Sequence, residues 1–282
     1  VTIGVFDSGH GGLTILRALV DQLPDRSFLY YGDHAHVPYG DRPSEEILAF
    51  TKSSVELLYK RGCKLVILAC NTAAAVALRT LQQEWQQKEY PDHRILGVLV
   101  PTVEAITGEP WLSIAPATVT GKPARTIAVF ATGRTVMSNA YPEEISKRAP
   151  EVLVIQHACT GLVNMIEGNA TRAELRAAIK GHVDALMAEF GTRRVDAVML
   201  GCTHYPLVAD LFADALPKDL TVVSQPELVA QSLAAYLERR PEIDTRDKIP
   251  SVRFLTSGET ADVTRLASVF FGRAARFEKV AV

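Results

Sequence analysis

Several absences narrow the reading of this chain before any motif is considered. Its 282 residues hold only four cysteines, Cys63, Cys70, Cys159 and Cys202. None forms a Cys-x-x-Cys pair or joins histidines at zinc-ligand spacing, so nothing points to a structural metal or a disulfide framework. No apolar run is long enough to cross a bilayer, and the chain begins directly in a strand pattern without a charged and apolar leader. A reducing cytoplasm is the expected setting. Blocks of like charge are also missing. Acids and bases are interspersed at a formal net charge of −2, so neither nucleic acid nor a membrane surface is an expected partner. The expected partner is a small-molecule substrate.

Hydrophobic residues make up 48% of the chain, and its length suits two domains of ordinary size. Strand and helix patterns alternate along it. Strands are predicted at 2–6, 27–31, 64–69 and 95–100, with helices at 12–22, 44–61 and 72–87 between them. Ser44 followed by Glu45 and Glu46 reads as a capped helix start. After Pro101 the pattern restarts, with strands at 126–131, 152–156 and 197–200 and a long helix at 172–190. A short strand past Leu220, a helix at 226–239, a strand at 252–256 and a last helix from Glu259 complete it. The polar stretch 239–248 reads as a solvated loop. Such alternation indicates parallel α/β sheets. Ligands of such sheets collect at the carboxyl ends of the strands.

Two segments look like copies of one half-site. Leu65-Val-Ile-Leu-Ala-Cys70-Asn-Thr72 and Ala197-Val-Met-Leu-Gly-Cys202-Thr-His204 each end a buried strand on a thiol, with polar residues opening the next helix. Upstream, Ile3-Gly-Val-Phe-Asp-Ser-Gly9 recurs as Ile127-Ala-Val-Phe-Ala-Thr-Gly133. Two landmarks repeated in order indicate duplicated halves rather than a solenoid, which needs at least about three shorter repeats.

The loops after the strands carry polar chemistry. Asp7-Ser-Gly-His-Gly-Gly12 offers amides and the Ser8 hydroxyl to a carboxylate, although it is not Gly-x-Gly-x-x-Gly. Gly32-Asp33-His-Ala-His-Val-Pro-Tyr39-Gly40 is rich in polar groups for so short a loop. Beside the thiols stand Asn71, Thr72, Thr203 and His204. A free thiol has a pKa near about 8.5, and a helix start with hydrogen-bond donors favours the thiolate. The plainer reading, a buried core cysteine, fits the polar flanks less well.

Asp7-Ser-Gly, Tyr31-Gly-Asp33 through Val37-Pro-Tyr-Gly40, Ala69-Cys-Asn-Thr72 and Leu200-Gly-Cys-Thr-His-Tyr-Pro206 together resemble the signature segments of the glutamate racemase family, within the aspartate/glutamate racemase superfamily. The resemblance runs in order over nearly the whole chain. It implies two similar parallel-sheet α/β domains with pseudo-twofold symmetry and an active site in the cleft between them. The first domain would comprise 1–98 plus 208–282, with 99–207 inserted. It further implies that Cys70 and Cys202 carry protons, assisted by Asp7 and His204. Asp7, Ser8, Tyr39, Gly40, Asn71, Thr72, Thr132, Thr135, Thr203 and His204 would contact the amino acid, and Ser138 would line the cleft. No cofactor and no metal is implied. D-glutamate supply to the bacterial cell wall and a homodimer come with the same resemblance. The chain departs from the family at His10, where a small apolar residue is usual, and at Val223-Ser224-Gln225, where an Asp-Ser pair is usual. His157-Ala-Cys159-Thr matches only loosely.

The residues suit the reaction. Enantiomers have equal free energy in water, so the α-proton must be removable from either face. Two thiols, one ionised and one protonated, exchange the roles of base and acid between directions. Donors near Ser8, Asn71, Thr72 and Thr203 would steady the charge on the substrate carboxylate. An aspartate racemase is the nearest rival, but that branch usually places Glu after the second Cys-Thr, where this chain has His204. A decarboxylase or isomerase of the superfamily would rely on one cysteine. A binding protein for small carboxylates with two α/β lobes is the non-catalytic alternative.

Overall fold

The structure, a computed structural model, describes residues 2–108, 126–168, 170–243 and 246–281. Ten strands are described: β1 (Ile3–Asp7), β2 (Phe28–Gly32), β3 (Leu65–Leu68), β4 (Arg94–Gly97), β5 (Thr126–Ala131), β6 (Leu153–Ala158), β7 (Ala197–Gly201), β8 (Thr221–Val223), β9 (Val252–Thr256) and β10 (Phe277–Lys279). The helices are α1 (Gly12–Gln22), α2 (Ser44–Lys60), α3 (Asn71–Thr80), α4 (Gln87–Glu89), α5 (Leu99–Thr107), α6 (Gly133–Met137), α7 (Ala140–Ser146), α8 (Leu162–Glu167), α9 (Arg172–Phe190), α10 (Ala209–Ala215), α11 (Pro226–Glu238) and α12 (Thr260–Phe271).

The strands form two parallel sheets, ordered β10-β9-β2-β1-β3-β4 and β6-β5-β7-β8. The run β2-β1-β3-β4 therefore has the same order as β6-β5-β7-β8. Registers agree as well: Ile3 pairs with Leu65 as Ile127 pairs with Ala197. Cys70 and Cys202 each lie five residues beyond the β3 and β7 partners in those pairs, so the duplication seen in the sequence is geometrical. Every residue of β1, β2 and β3 is buried. That matches the apolar sequence of strands covered on both faces.

Side chains alternate along β5 and β7. Ile127, Val129, Ala131 and Met199 join the core of the first sheet, while Ala128, Phe130, Val198 and Leu200 join a second core with α9 and α10. The larger core thus runs from one sheet into the other and fixes the two thiol-bearing edges relative to each other.

Several expectations shift. The strand expected at 95–100 ends at Gly97, and Leu99–Thr107 turns instead into α5, closed by Gly108 in the left-handed region at φ 72°. An apolar run does not distinguish a buried strand from a buried helix. Ser44 does open α2, but the cap position is Pro43 and no side chain caps it. The helix expected at 72–87 passes through a π-turn at Leu81–Gln86, where Trp85 stacks on Tyr59 at 6.0 Å. The short strand β10 carried too little pattern to be foreseen. Stretch 208–223, expected with the first domain, builds α10 and β8, and β8 pairs with β7. The chain rejoins the first core with α11. Of the polar loop 239–248, residues 244 and 245 lie outside the described residues, and most of the rest is exposed.

Candidate active site

Each thiol follows a strand whose residues pull it into the interior. Leu65–Leu68 is wholly buried, and Cys70 then caps α3, its Sγ accepting the Ala73 amide at 3.4 Å. Ser8, from the turn after β1, places its hydroxyl 3.3 Å from the same sulfur. Asp7 lies behind Cys70, 1% exposed, and accepts the Gly9 amide at 2.8 Å. Gly12 is required here, because a Cβ at that position would collide with the Asp7 side chain. Burial raises the Asp7 carboxyl above its usual range against the pull of His204 and the Gly9 and Gly12 amides.

The Cys70 thiol is pushed up to about 12 by burial first and the nearby Asp7 carboxylate second, with Ser8 and the Ala73 amide opposing. The expectation that a helix start favours the thiolate is therefore overturned at Cys70. Desolvation of a buried charge outweighs one cap hydrogen bond.

Cys202 is built differently. A helix does not follow it directly; Tyr205–Val208 is a short 3-10 turn and α10 starts at Ala209. Its partner is a side chain: His204 Nδ1 stands 3.8 Å from Cys202 Sγ, and His204 Nε2 donates to Glu167 Oε1 at 2.7 Å. Burial works against a charged imidazole, yet the contacts with Cys202 and Glu167 carry the His204 pKa up to about 10. Glu167 resists burial likewise, held below its usual range by His10 and His204. Gly11 makes room for this arrangement, since a Cβ there would strike the His204 ring and the Thr203 hydroxyl.

Both sulfurs line one cavity of about 130 Å³. That is well under the ~300–1,000 Å³ of drug-sized sites, so a small metabolite is the fitting occupant. Ser8, Tyr39, Gly40, Asn71, Thr72, Thr132, Thr203 and His204 line it too. No lysine or arginine is among these described lining residues. Carboxylates would therefore be met by hydroxyls, backbone amides and the N-terminus of α3. Thr72, Thr132 and Thr135 form a triangle of hydroxyls, at 3.0 Å between Thr72 and Thr132, 3.3 Å between Thr72 and Thr135, and 3.0 Å between Thr132 and Thr135. Thr72 lies on α3 of the first lobe and the other two at the start of α6 of the second, so the triangle ties the lobes together beside the cavity. Thr14 Oγ1 donates across the same boundary to the Thr203 carbonyl at 3.0 Å.

Not every expected contact residue offers its side chain. Asp7 and Thr135 are buried behind the wall, and Ser138 lines a neighbouring groove while donating to the Thr135 carbonyl. Tyr39 donates its hydroxyl to Asp33 at 2.7 Å, leaving its ring as cavity wall. Asn71 uses its amide on Gln225 and accepts from Tyr141. Gln225, one of the departures from the family pattern, bonds also to Thr102 at 3.0 Å. Glu167 was missed altogether: a single acid at the end of the apolar run Leu-Val-Asn-Met-Ile-Glu carries no signal, and its partners are 157 and 37 positions away. The odd histidine at position 10 was the one trace of it.

Matched parallel lobes close on one small cavity, with a thiol from each, which is the layout of an amino-acid racemase. The model of the Asp/Glu/Hydantoin racemase family matches residues 96–233. The chain is 46% identical to the glutamate racemase of Phenylobacterium zucineum, over 99% of each. Its structure is similar to a glutamate racemase isoform from Bacillus anthracis, at a TM-score of 0.85 and 31% identity, covering 100% of this chain and 97% of that one. It is also similar to glutamate racemase from Francisella tularensis solved with D-glutamate, at a TM-score of 0.84 and 27% identity, covering 99% and 97%. The chain belongs to the glutamate racemase family.

Proposed function

We propose that the protein interconverts L-glutamate and D-glutamate, with Cys70 and Cys202 as the acid/base pair. The observation that carries the mechanism is the placement of one thiol from each matched sheet on a single small cavity. Family membership carries the substrate.

Cys70 holds its proton, since burial and Asp7 both oppose the thiolate. Cys202 faces the His204 imidazolium. Cys70 is therefore suited to act first as the acid, which leaves the role of base to Cys202. Cys202 takes the α-proton from one face, and Cys70 returns one to the other. The roles then stand reversed, as the opposite direction requires. Charge developing on the substrate carboxylate meets the amides and hydroxyls of Ser8, Asn71, Thr72, Thr132 and Thr203. Tyr39 and Gly40 complete the wall. Thr135 acts through Thr72 and Thr132.

No helix among the described residues is long and apolar enough to cross a membrane. Supply of D-glutamate for peptidoglycan, a cytoplasmic setting and a homodimer belong to the same reading.

Optical rotation of L-glutamate incubated with the protein should decay to zero, while L-aspartate should hold its rotation. Activity should survive dialysis against chelator and treatment with hydroxylamine. An unchanged rotation with tight glutamate binding would favour a non-catalytic carboxylate-binding protein. Decay with aspartate alone would favour the aspartate branch.

A further inference from the structure

His10 sits in the turn after β1, 6% exposed, at a position the racemisation chemistry leaves without a task. Its Nε2 lies 3.1 Å from the Val263 carbonyl at the start of α12. A carbonyl only accepts, so Nε2 carries a hydrogen. Its Nδ1 then faces Glu167 Oε1 at 3.4 Å. His204 Nε2 reaches the same Oε1 from the other side at 2.7 Å. One carboxylate oxygen thus lies between two imidazoles, one from each lobe.

We propose that His10 is a positioning residue for proton transfer at Cys202, acting through Glu167 and His204. This rests on the racemase reading above and assigns a role beyond it. By holding Glu167, His10 keeps His204 Nε2 as the donor to that carboxylate and leaves Nδ1 facing the Cys202 sulfur. Without His10, among the described residues His204 is the hydrogen-bond partner left to keep the Glu167 side chain, 23% exposed, from swinging toward solvent.

Two aromatic rings hold the His10 ring in place. His34, after β2, presents its ring at a centroid distance of 4.4 Å. Burial first, and His10 second, push the His34 pKa down to about 3, so it is neutral. Its Nδ1 is committed to the Gly32 carbonyl and Thr256. Phe270 of α12 stacks on the remaining face at 5.7 Å. Glu167 and, beyond it, His204 are the charged groups that His10 meets, with Asp7 three residues away in its own turn.

That turn supplies the discriminating test. A merely structural His10 would, when replaced, disturb Asp7 and hence the Cys70 face. A positioning His10 disturbs the Cys202 face. The racemisation of L- and D-glutamate, with hydrogen or deuterium at Cα and in H2O or D2O, is to be measured for the wild-type protein, His10→Phe and His10→Asn, with His204→Asn and Asp7→Asn as references. His10→Phe keeps an aromatic ring and removes both ring nitrogens. It should lower kcat up to about 100-fold, the cost of letting a catalytic group drift by about an ångström. Its substrate isotope effect should rise in one direction and fall in the other with the signature of His204→Asn. His10→Asn retains an N–H toward Glu167 and should recover most of kcat with an altered pH profile.

Wild-type rate and isotope effects in folded His10→Phe, or the Asp7→Asn signature, would overturn the proposal. If His10→Phe does not fold, His10→Asn decides: a pH profile and isotope effects unchanged from wild type overturn it. An inactive wild-type protein would instead overturn the racemase reading itself, and this role with it.

Discussion

Cys70 and Cys202 end matched strands in matched sheets, yet their surroundings share almost nothing. Cys70 caps a ten-residue helix and touches a serine hydroxyl, with a buried carboxylate behind it. Cys202 precedes a loose 3-10 turn and faces an imidazole in a chain that runs through Glu167 to His10. Duplication fixed where the sulfurs lie, because strand order and register place them. It did not fix how each holds a proton, because that depends on the charges brought up from elsewhere. A cavity whose reaction is symmetric is therefore lined by an asymmetric pair, hydroxyl-bonded on one side and facing an imidazole on the other.

The strongest way to break this comparison is to remove either sulfur. Cys70→Ala and Cys202→Ala should each abolish racemisation followed by optical rotation, since each variant serves one face only. Near-normal activity in either would end the two-thiol mechanism.

Next in size are the partners. His204→Asn and Asp7→Asn should each cost about 10²–10⁴ in kcat, the usual worth of a positioned acid/base group. Their isotope effects should differ, because each slows proton transfer at its own face. The ratio of kcat/KM in the two directions stays at one, as equal energies of the enantiomers demand, so the asymmetry shows in kcat, KM and isotope effects. Identical isotope responses would erase the distinction between the two sides.

A smaller effect should follow Ser8→Ala. One hydrogen bond to Cys70 is lost, worth about 0.5–1.5 kcal/mol, or roughly twofold to thirteenfold in rate. The loss should leave the Cys202 isotope signature untouched, as steady-state rates with deuterated substrate would reveal.

The mildest test reads stability. The His204 pKa is raised in the folded protein from 6.5 to about 10. Its stabilising contribution is therefore fully present below 6.5 and is lost as pH rises through about 10. The gap in Tm between the protein and His204→Asn should be widest at the acidic end and close above about pH 10. A gap that widens toward alkaline pH would reverse the assigned sign.

Much of this was legible in the sequence because it is local. Apolar runs such as Leu65–Leu68 and Ala197–Gly201 announce buried strands, and a thiol followed by polar residues marks where each one surfaces. Where the local signal is ambiguous the reading slipped, as at Leu99–Thr107, whose apolar sequence suits a buried helix as well as a strand.

By itself, then, the sequence determined the repeated strand and turn units, the two sulfurs at their ends and the family to which they belong, since these need only residue type and spacing. Tertiary structure alone decided that Glu167 meets both His10 and His204, that Asn71 turns toward Gln225 and that Cys70 keeps its proton. The physical reason is that hydrogen-bond partners and proton affinities are set by distance and desolvation in the folded interior, where residues 37 to 157 positions apart become neighbours.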